Sequence, residues 1–337
     1  MRTRMIDIAR DLKVSAVTVS KALRDSPDIG AETKRKVLQR AKELNFQPHL
    51  QARALATGRT SMIGLLVPGL TSGFFGEIAQ AVANTLNEKG YSLVISSSEE
   101  SPEQERRLVD NFMMARMDAL IIGSVQWSVE LFRHIENSGV PYVLIDRRFT
   151  GLMANFVGGD DDEIGYMATR HLLDSGCRRV AYIGGPAVST TLGRLDGYKK
   201  ALAEEQMVPG RGYVEEQTAG DVGAEKAGYR SMKRLLKLKP RPDGIFCHND
   251  AIAIGAIRAI HEAGLSIPAD IAVMGCGNLS YADLLSPALS SIDQGVSSVG
   301  ERAAKLALSL LEDKTPKAPR TILIKPKLVI RTSTRRS

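Results

Sequence analysis

The chain has 337 residues, 43% of them apolar and 25% charged, with 45 Lys and Arg against 38 Asp and Glu for a net charge of +7. Its three cysteines, Cys177, Cys247 and Cys276, show no C-x-x-C pair and no pairing pattern, in agreement with a reducing cytoplasm. No stretch reaches membrane-spanning length, and residues 1–60 have no apolar core of the kind a secretory signal needs.

The positive charge is local. Residues 1–60 hold 13 Lys and Arg against 6 Asp and Glu, which leaves 32 of each sign in residues 61–337. A basic patch on an otherwise balanced chain is the electrostatic footprint of a nucleic-acid binder, because clustered cations release counterions from phosphates. A solubilising tail would lack the apolar periodicity this segment carries. Met5, Ile6, Ala9 and Leu12 have helical spacing; Lys13-Val14-Ser15 interrupts it, and Ser15 is placed to cap a second helix over Ala16–Leu23. That helix can turn Val19, Ala22 and Leu23 inward and leave Ala16, Val17, Thr18 and Lys21 outward. Turn residues Asp25–Gly30 precede a third helix over about Glu32–Leu44, which Pro48 ends. Two short helices joined by a tight turn fit the second into the major groove while the first crosses the backbone. Leu50–Thr57 reads as a marginal helix of about two turns.

From Ser61 onward short apolar runs (Met62–Val67, Leu93–Ser96, Ala119–Ile122, Tyr142–Ile145, Val180–Ile183, Gly244–Cys247, Ile271–Gly275) alternate with amphipathic stretches (Glu77–Lys89, Gln104–Ala115, Ile164–Ser175, Arg194–Gln206, Ala224–Leu236, Ala251–Ala263, Val299–Leu311). Alternation of this kind predicts parallel sheets covered by helices, and about 275 residues suit two lobes better than one. Thr321–Ile330 is the last strand-like run. Ligands in such sheets bind beyond the carboxyl ends of the strands. The loops there hold the aromatic faces of Phe74 and Phe75, the guanidinium of Arg194, the carboxylates of Asp146 and Asp250, and the amide of Asn249. The set suits a small polar molecule with ring faces and hydroxyls. Asp250 could equally cap the helix from Ala251, Phe75 could be core, and Arg194 could serve a structural ion pair.

The chain resembles the LacI/GalR family of bacterial transcriptional repressors over essentially its whole length. The likeness rests on Ile6-Asp7-Ile8-Ala9, Val14-Ser15, Thr18-Val19-Ser20-Lys21-Ala22-Leu23, Thr33, Val37, Ala41 to Phe46, Pro48, Ala52-Arg53-Ala54-Leu55, Thr57-Gly58-Arg59-Thr60 and Ile63 to Pro68. Further on, Gly193-Arg194-Leu195-Asp196-Gly197-Tyr198 and Cys247-His248-Asn249-Asp250 are similar to its motifs. The resemblance implies an all-α helix-turn-helix domain over residues 1–47, a hinge helix and linker over 48–60, and a two-lobed, periplasmic-binding-protein-like α/β core over 61–337. Its N-lobe would take about 61–160 and 293–320, its C-lobe about 161–292 and 321–332, with crossings near 160–162, 290–293 and 315–321. It also implies a cytoplasmic homodimer on a pseudopalindromic operator in double-stranded DNA, controlled by a small, sugar-like effector. The implied DNA contacts are Arg4, Ser15, Ala16, Val17, Thr18, Ser20, Lys21, Arg24, Thr33, Ala52, Arg53 and Leu55, the last as a wedge in the minor groove, with packing in the linker as its alternative. Ala16 and Val17 stand at base-reading positions, where they can offer only apolar contact, most naturally to thymine methyls. The implied effector contacts are Phe74, Phe75, Asp146, Thr190, Arg194, Val222, Asn249, Asp250 and Asn278.

Three departures from the family pattern matter. Arg4 stands where a small hydroxyl residue usually caps the first helix, so the cap is either shifted or replaced by a phosphate-binding arginine. Gly277 stands where many relatives carry an aspartate, and Val188 where purine-type members carry a second basic residue. A purine corepressor is thereby disfavoured and an ordinary pyranose weakened. The sequence has no H-E-x-x-H, G-x-G-x-x-G or G-x-x-x-x-G-K-[ST], and Asp160-Asp161-Asp162 reads as helix cap rather than cation site, so neither catalysis, metal nor cofactor is expected. A periplasmic sugar-binding protein would share the two lobes but not the basic N-terminal module. No leucine heptad follows the last strand, so an additional tetramerising tail is not expected.

Overall fold

A computed structural model describes residues 4–23, 25–44, 46, 59–216, 223–312 and 318–336. The chain divides into two compact units, Met1–Thr60 and Ser61–Ser337. The first contains α1 (Met5–Asp11), α2 (Ala16–Leu23) and α3 (Ala31–Glu43). Their inward faces close on Ile8, Ala9, Val19, Ala22, Val37 and Ala41, with Met5, Leu12, Val14 and Ile29 packed around them. The turn between α1 and α2 places Lys13 at φ +53°. Ser15 then starts α2 as expected, its Oγ accepting the Thr18 backbone N–H at 2.9 Å.

In the second unit, β1 (Met62–Val67), α4 (Gly73–Asn87), β2 (Ser92–Ser97), α5 (Pro102–Met114), β3 (Ala119–Ile122), α6 (Glu130–Ser138), β4 (Tyr142–Ile145) and β5 (Phe156–Gly159) build a first lobe. The chain then enters a second lobe through α7 (Asp161–Asp174), β6 (Val180–Ile183), α8 (Ser189–Glu204), β7 (Val214–Glu215), α9 (Ala224–Leu235), β8 (Gly244–Cys247), α10 (Asp250–Glu262), β9 (Ala272–Cys276) and β10 (Ser290–Asp293). Finally α11 (Val296–Glu312) and β11 (Thr321–Ile324) return to the first lobe, and β12 (Lys327–Val329) to the second. The sheets run β11-β5-β4-β3-β1-β2 and β12-β10-β9-β8-β6-β7, parallel throughout except for β12 against β10. Helices cover both faces, which is why the central strands β1, β3, β4, β6 and β8 are unbroken apolar runs.

The first two crossings fall after Gly159 and after Asp293, close to where the family pattern puts them. The third does not lie at 315–321: Thr321↔Phe156 and Ile324↔Gly159 pair in the first sheet, so the chain crosses at 325–326. Residues 321–324 therefore belong to the N-lobe. What reads as one strand over 321–330 is two strands in different sheets. The tail beyond them is sewn into the C-lobe. Ser333 Oγ accepts from Ser290 N at 2.8 Å and donates to the Val273 carbonyl at 2.6 Å.

Candidate functional site

The N-terminal module presents the start of α2 to solvent. Ala16 is exposed and Val17 is 63% exposed, an unusual degree for a valine in a packed helix, while Val19 and Ala22 on the opposite face are buried. Thr18 is half-buried and its Oγ1 lies 2.8 Å from Ser15 Oγ; Lys21 reaches Asp28 at 3.0 Å. That exposed pair is weak. Arg4 occupies the position before α1, where the Asp7 carboxylate accepts its backbone N–H at 2.8 Å and its own side chain stays in solvent. The cap is thus supplied by Asp7, and the Arg4 guanidinium is left on the surface. Ser20 and Thr33 are half-buried, Thr33 in the first turn of α3. Arg24, Ala52, Arg53 and Leu55 lie outside the described residues.

In the second unit the carboxyl ends of β1, β4, β6, β8, β9 and β10 converge on a cavity of about 120 Å³ between the lobes. From the N-lobe come Thr71, Ser72, Gly73, Phe74, Asp146 and Arg147; from the C-lobe Thr190, Arg194, His248, Asn249, Ala251, Cys276, Gly277, Leu279 and Tyr281; Gln294 lies where the chain crosses between them. Five of the expected residues, Phe74, Asp146, Thr190, Arg194 and Asn249, are among them.

Three expected residues are not. Helix α4 begins at Gly73, four residues before the apolar pattern suggests, so Phe74 and Phe75 are successive helical residues and point apart. Phe75 is 1% exposed and belongs to the N-lobe core, its ring edge-on to Phe74 at 5.1 Å. Asp250, at the first position of α10, is fully buried behind the cleft: it accepts the Leu279 N–H at 2.9 Å and the Ser291 hydroxyl at 2.7 Å. Burial nonetheless raises its pKa, against those two hydrogen bonds. Asn278 turns away as well, giving its amide oxygen to Arg331 at 2.7 Å, and Gly277 takes its place in the wall. Val222 lies outside the described residues.

Arg194 is 3% exposed and each nitrogen of its fork is engaged by protein. Nε meets Asp161 Oδ1 at 3.0 Å, one terminal nitrogen donates to the His248 carbonyl at 2.6 Å, and the other to Gln294 Oε1 at 2.7 Å. Two terminal N–H groups remain from its five donors, so most of the Arg194 fork is committed to fixing three segments of the cleft. Burial pushes Asp161 up to about 6 in spite of Arg194. Asp146, at φ +64°, is also raised by burial, opposed by Arg147 and Arg194. Arg147 in turn sits 3.6 Å from Asp146 and 3.4 Å from Glu100. Burial, with both arginines adding to it, drives His248 far below the usual imidazole range, so it is neutral at pH 7, with Nδ1 3.3 Å from the Tyr182 hydroxyl. Asn249 spends its side-chain oxygen on the Ile252 N–H that starts α10. The sequence reading missed Thr71, Ser72, Arg147, Cys276, Leu279, Tyr281 and Gln294. Thr71, Ser72, Arg147 and Leu279 lie in the loops that leave the carboxyl ends of β1, β4 and β9, which the parallel-sheet rule points to; Cys276, Tyr281 and Gln294 carry no such signal.

No described helix is long and apolar enough to cross a membrane, and no group of three or more metal-ligating side chains occurs among the described residues. Residues 4–49 match the model for bacterial regulatory proteins of the lacI family, and residues 169–334 that for a periplasmic binding protein-like domain. The HTH-type transcriptional repressor PurR of Actinobacillus pleuropneumoniae serotype 3 (strain JL03) is 31% identical over 332 residues, 98% of this chain and 97% of that one. PurR of Klebsiella pneumoniae (strain 342) is 33% identical over 338 residues, covering 97% and 95%. The structure of the lac repressor dimer bound to operator and the anti-inducer ONPF superposes with a TM-score of 0.88 at 25% identity, over 99% of each chain. The chain belongs to the lacI family of bacterial regulatory proteins, as a DNA-binding transcriptional regulator with a periplasmic-binding-protein-like effector domain, and it is not an enzyme.

Proposed function

We propose that this protein is a cytoplasmic repressor that binds a pseudopalindromic operator as a homodimer and is controlled by a small, uncharged, hydroxyl-rich effector of sugar-like character. The observation that carries the DNA reading is the exposed start of α2 on a unit that holds the whole excess of positive charge. Ala16 and Val17 offer methyl groups to a groove wall, and Thr18 and Lys21 add polar contacts. Arg4, Ser15, Ser20, Arg24 and Thr33 would hold the phosphates, and Ala52, Arg53 and Leu55 the minor groove. Dimerisation is supported by apolar surface on the core, including Ile95 on the edge strand β2 (41% exposed) and Leu284 (80%), and by the dimeric state of the lac repressor in its operator complex.

The effector reading rests on the charge balance of the cleft. Its two arginines are each matched by a carboxylate, Arg194 by Asp161 and Arg147 by Asp146 and Glu100, and His248 is neutral. An anion would have to displace a buried carboxylate from its cation, which is costly. The remaining wall of Thr71, Ser72, Thr190, Asn249, Tyr281 and Gln294, with the Phe74 ring beside it, suits hydroxyls and a ring face. Val222 would complete that wall. A gel-shift titration tests the whole reading: the full chain retards its operator, a neutral sugar or polyol from a screen changes the midpoint, and the phosphorylated counterpart does not. Control by the phosphorylated form alone would refute the effector class.

A further inference from the structure

The C-lobe carries a second cavity, at the end of its sheet opposite the effector cleft. It opens beside the start of β6 and the segments that follow α8 and α9, and measures about 330 Å³. Its interior is apolar: Leu202, Met207 and Leu238 line it, and the Tyr213 ring forms one wall, fixed by a 3.0 Å hydrogen bond from its hydroxyl to the Pro240 carbonyl. Val208 stands at the rim, 83% exposed.

The same cavity is bordered by four cations, Arg178, Arg179, Arg211 and Lys239, and by no carboxylate among its described lining residues. Arg179 is neutralised by Asp243 at 3.2 Å and donates from Nε to the Arg241 carbonyl. The side chains of the other three form no hydrogen bond or ion pair with any described residue. Helix C-termini attract cations, and α8 and α9 end nearby. Yet none of these three side chains caps a helix carbonyl here, and the last turns of α8 and α9 are closed by backbone bonds from Glu205 and Leu236. An apolar chamber with three uncommitted cations at its mouth has the form of a receptor for a molecule with an apolar body and one negative end.

We propose that this cavity is a second ligand site, separate from the effector cleft, for a small amphipathic monoanion such as an acyl or aryl carboxylate. The apolar body enters against Met207, Leu238 and Tyr213, covering Val208, and the carboxylate stays at the mouth between Arg178, Arg211 and Lys239.

Methyl NMR on the full chain tests this, with methionine methyls labelled and the Met207 signal assigned by its loss in Met207→Leu. Sodium octanoate is titrated at millimolar concentration, with octan-1-ol and octylamine alongside. The Met207 methyl should shift saturably with octanoate and bind it about tenfold more tightly than octan-1-ol, one charge-assisted contact's worth. The exposed double substitution Arg178→Gln/Arg211→Gln should remove that tenfold while leaving the rest of the spectrum unchanged. A Met207 signal that octanoate does not move would overturn the proposal. So would equal responses to octanoate and octan-1-ol, which would describe an apolar hole with no recognition of charge.

Discussion

A Cβ atom added to Gly165 would lie 2.0 Å from the Arg194 carbonyl oxygen, so α7 and α8 cross with their backbones in contact at the residue that organises the effector cleft. The relation is reciprocal. A Cβ on Gly197 would lie 2.0 Å from the Asp162 carbonyl oxygen. These two glycines let the helices approach closely enough for Asp161 on one to reach Arg194 on the other at 3.0 Å. Gly228 and Gly255 repeat the arrangement between α9 and α10, with clearances of 2.2 and 2.0 Å to the Ile252 and Glu225 carbonyl oxygens. Gly165→Ala must therefore push α7 off α8, at a cost of about 1–3 kcal/mol for overpacking. Calorimetry should show a lowered Tm for the core; an unchanged Tm would mean that the helices separate freely and that the contact is incidental.

Removing Arg194 should unsettle the core as well as the sensor. Arg194→Ala leaves the 5%-exposed Asp161 carboxylate without its cation and the His248 carbonyl and Gln294 amide without their donor. Breaking such a buried pair costs about 3–5 kcal/mol. Asp161→Asn in the same chain should recover part of that loss, because it removes the stranded charge. Urea denaturation of both variants checks this, and an Arg194→Ala core as stable as the parent would return Arg194 to a purely ligand-facing role.

Glu105 sets a pH dependence. It is fully buried on α5, where Oε1 accepts the Ser124 hydroxyl at 2.5 Å and Oε2 the Val125 N–H at 2.6 Å, holding the loop after β3. Burial raises its pKa to about 6, against those bonds and the pull of Arg147. The folded state thus favours the protonated acid. The stabilisation is fully present below the unfolded pKa near 4.5 and is lost as pH rises through about 6, a change of about 2 kcal/mol. Glu105→Gln can keep both hydrogen bonds, with its oxygen on Val125 N and its nitrogen on Ser124 Oγ. It should flatten the stability profile between pH 4 and 7 relative to the parent, and parallel profiles would rule out Glu105 as the titrating group.

Two substitutions in the N-terminal unit separate folding from DNA contact. Ser15→Ala removes the acceptor for the Thr18 N–H and should lower that unit's stability by about 1 kcal/mol. Lys21→Ala loses only an exposed pair with Asp28 and should leave stability within a few tenths of a kcal/mol. It should, however, reduce the slope of log affinity against log salt by about one, the signature of one phosphate contact. An unchanged slope would place Lys21 outside the interface.

Much of this was legible in the chain because apolar periodicity and turn residues report the buried, regular elements directly. The elements that do not show in it are hidden for different reasons. β10 is Ser290-Ser291-Ile292-Asp293, whose buried serines are satisfied by Arg331, Thr334 and Asp250, partners distant in sequence that no hydropathy pattern contains. β5 carries two glycines in four residues, and β7 has only two residues. α6 is the exception: it is amphipathic, burying Leu131, Phe132 and Ile135 and ending at Gly139 in the left-handed region, so its signal is present in the sequence and was passed over. The split of 321–330 between two sheets depends on tertiary pairing alone. At the cleft, the choice between Phe74 and Phe75 turned on where α4 begins, and the choice between Gly277 and Asn278 on a local turn, φ +129° then +51°. Arg194 was legible as important, but its commitment to Asp161, His248 and Gln294 was not, since those partners come from three different segments.

Selection from random DNA duplexes with the full chain and with a chain beginning at Ser61 decides whether the basic N-terminal unit reads a two-fold operator for a separately folded sensor. The full chain should enrich a pseudopalindrome, with affinity falling steeply as salt rises. The Ser61–Ser337 chain should fold and enrich nothing. Recovery of the same sequence by both chains would place operator recognition outside the N-terminal unit.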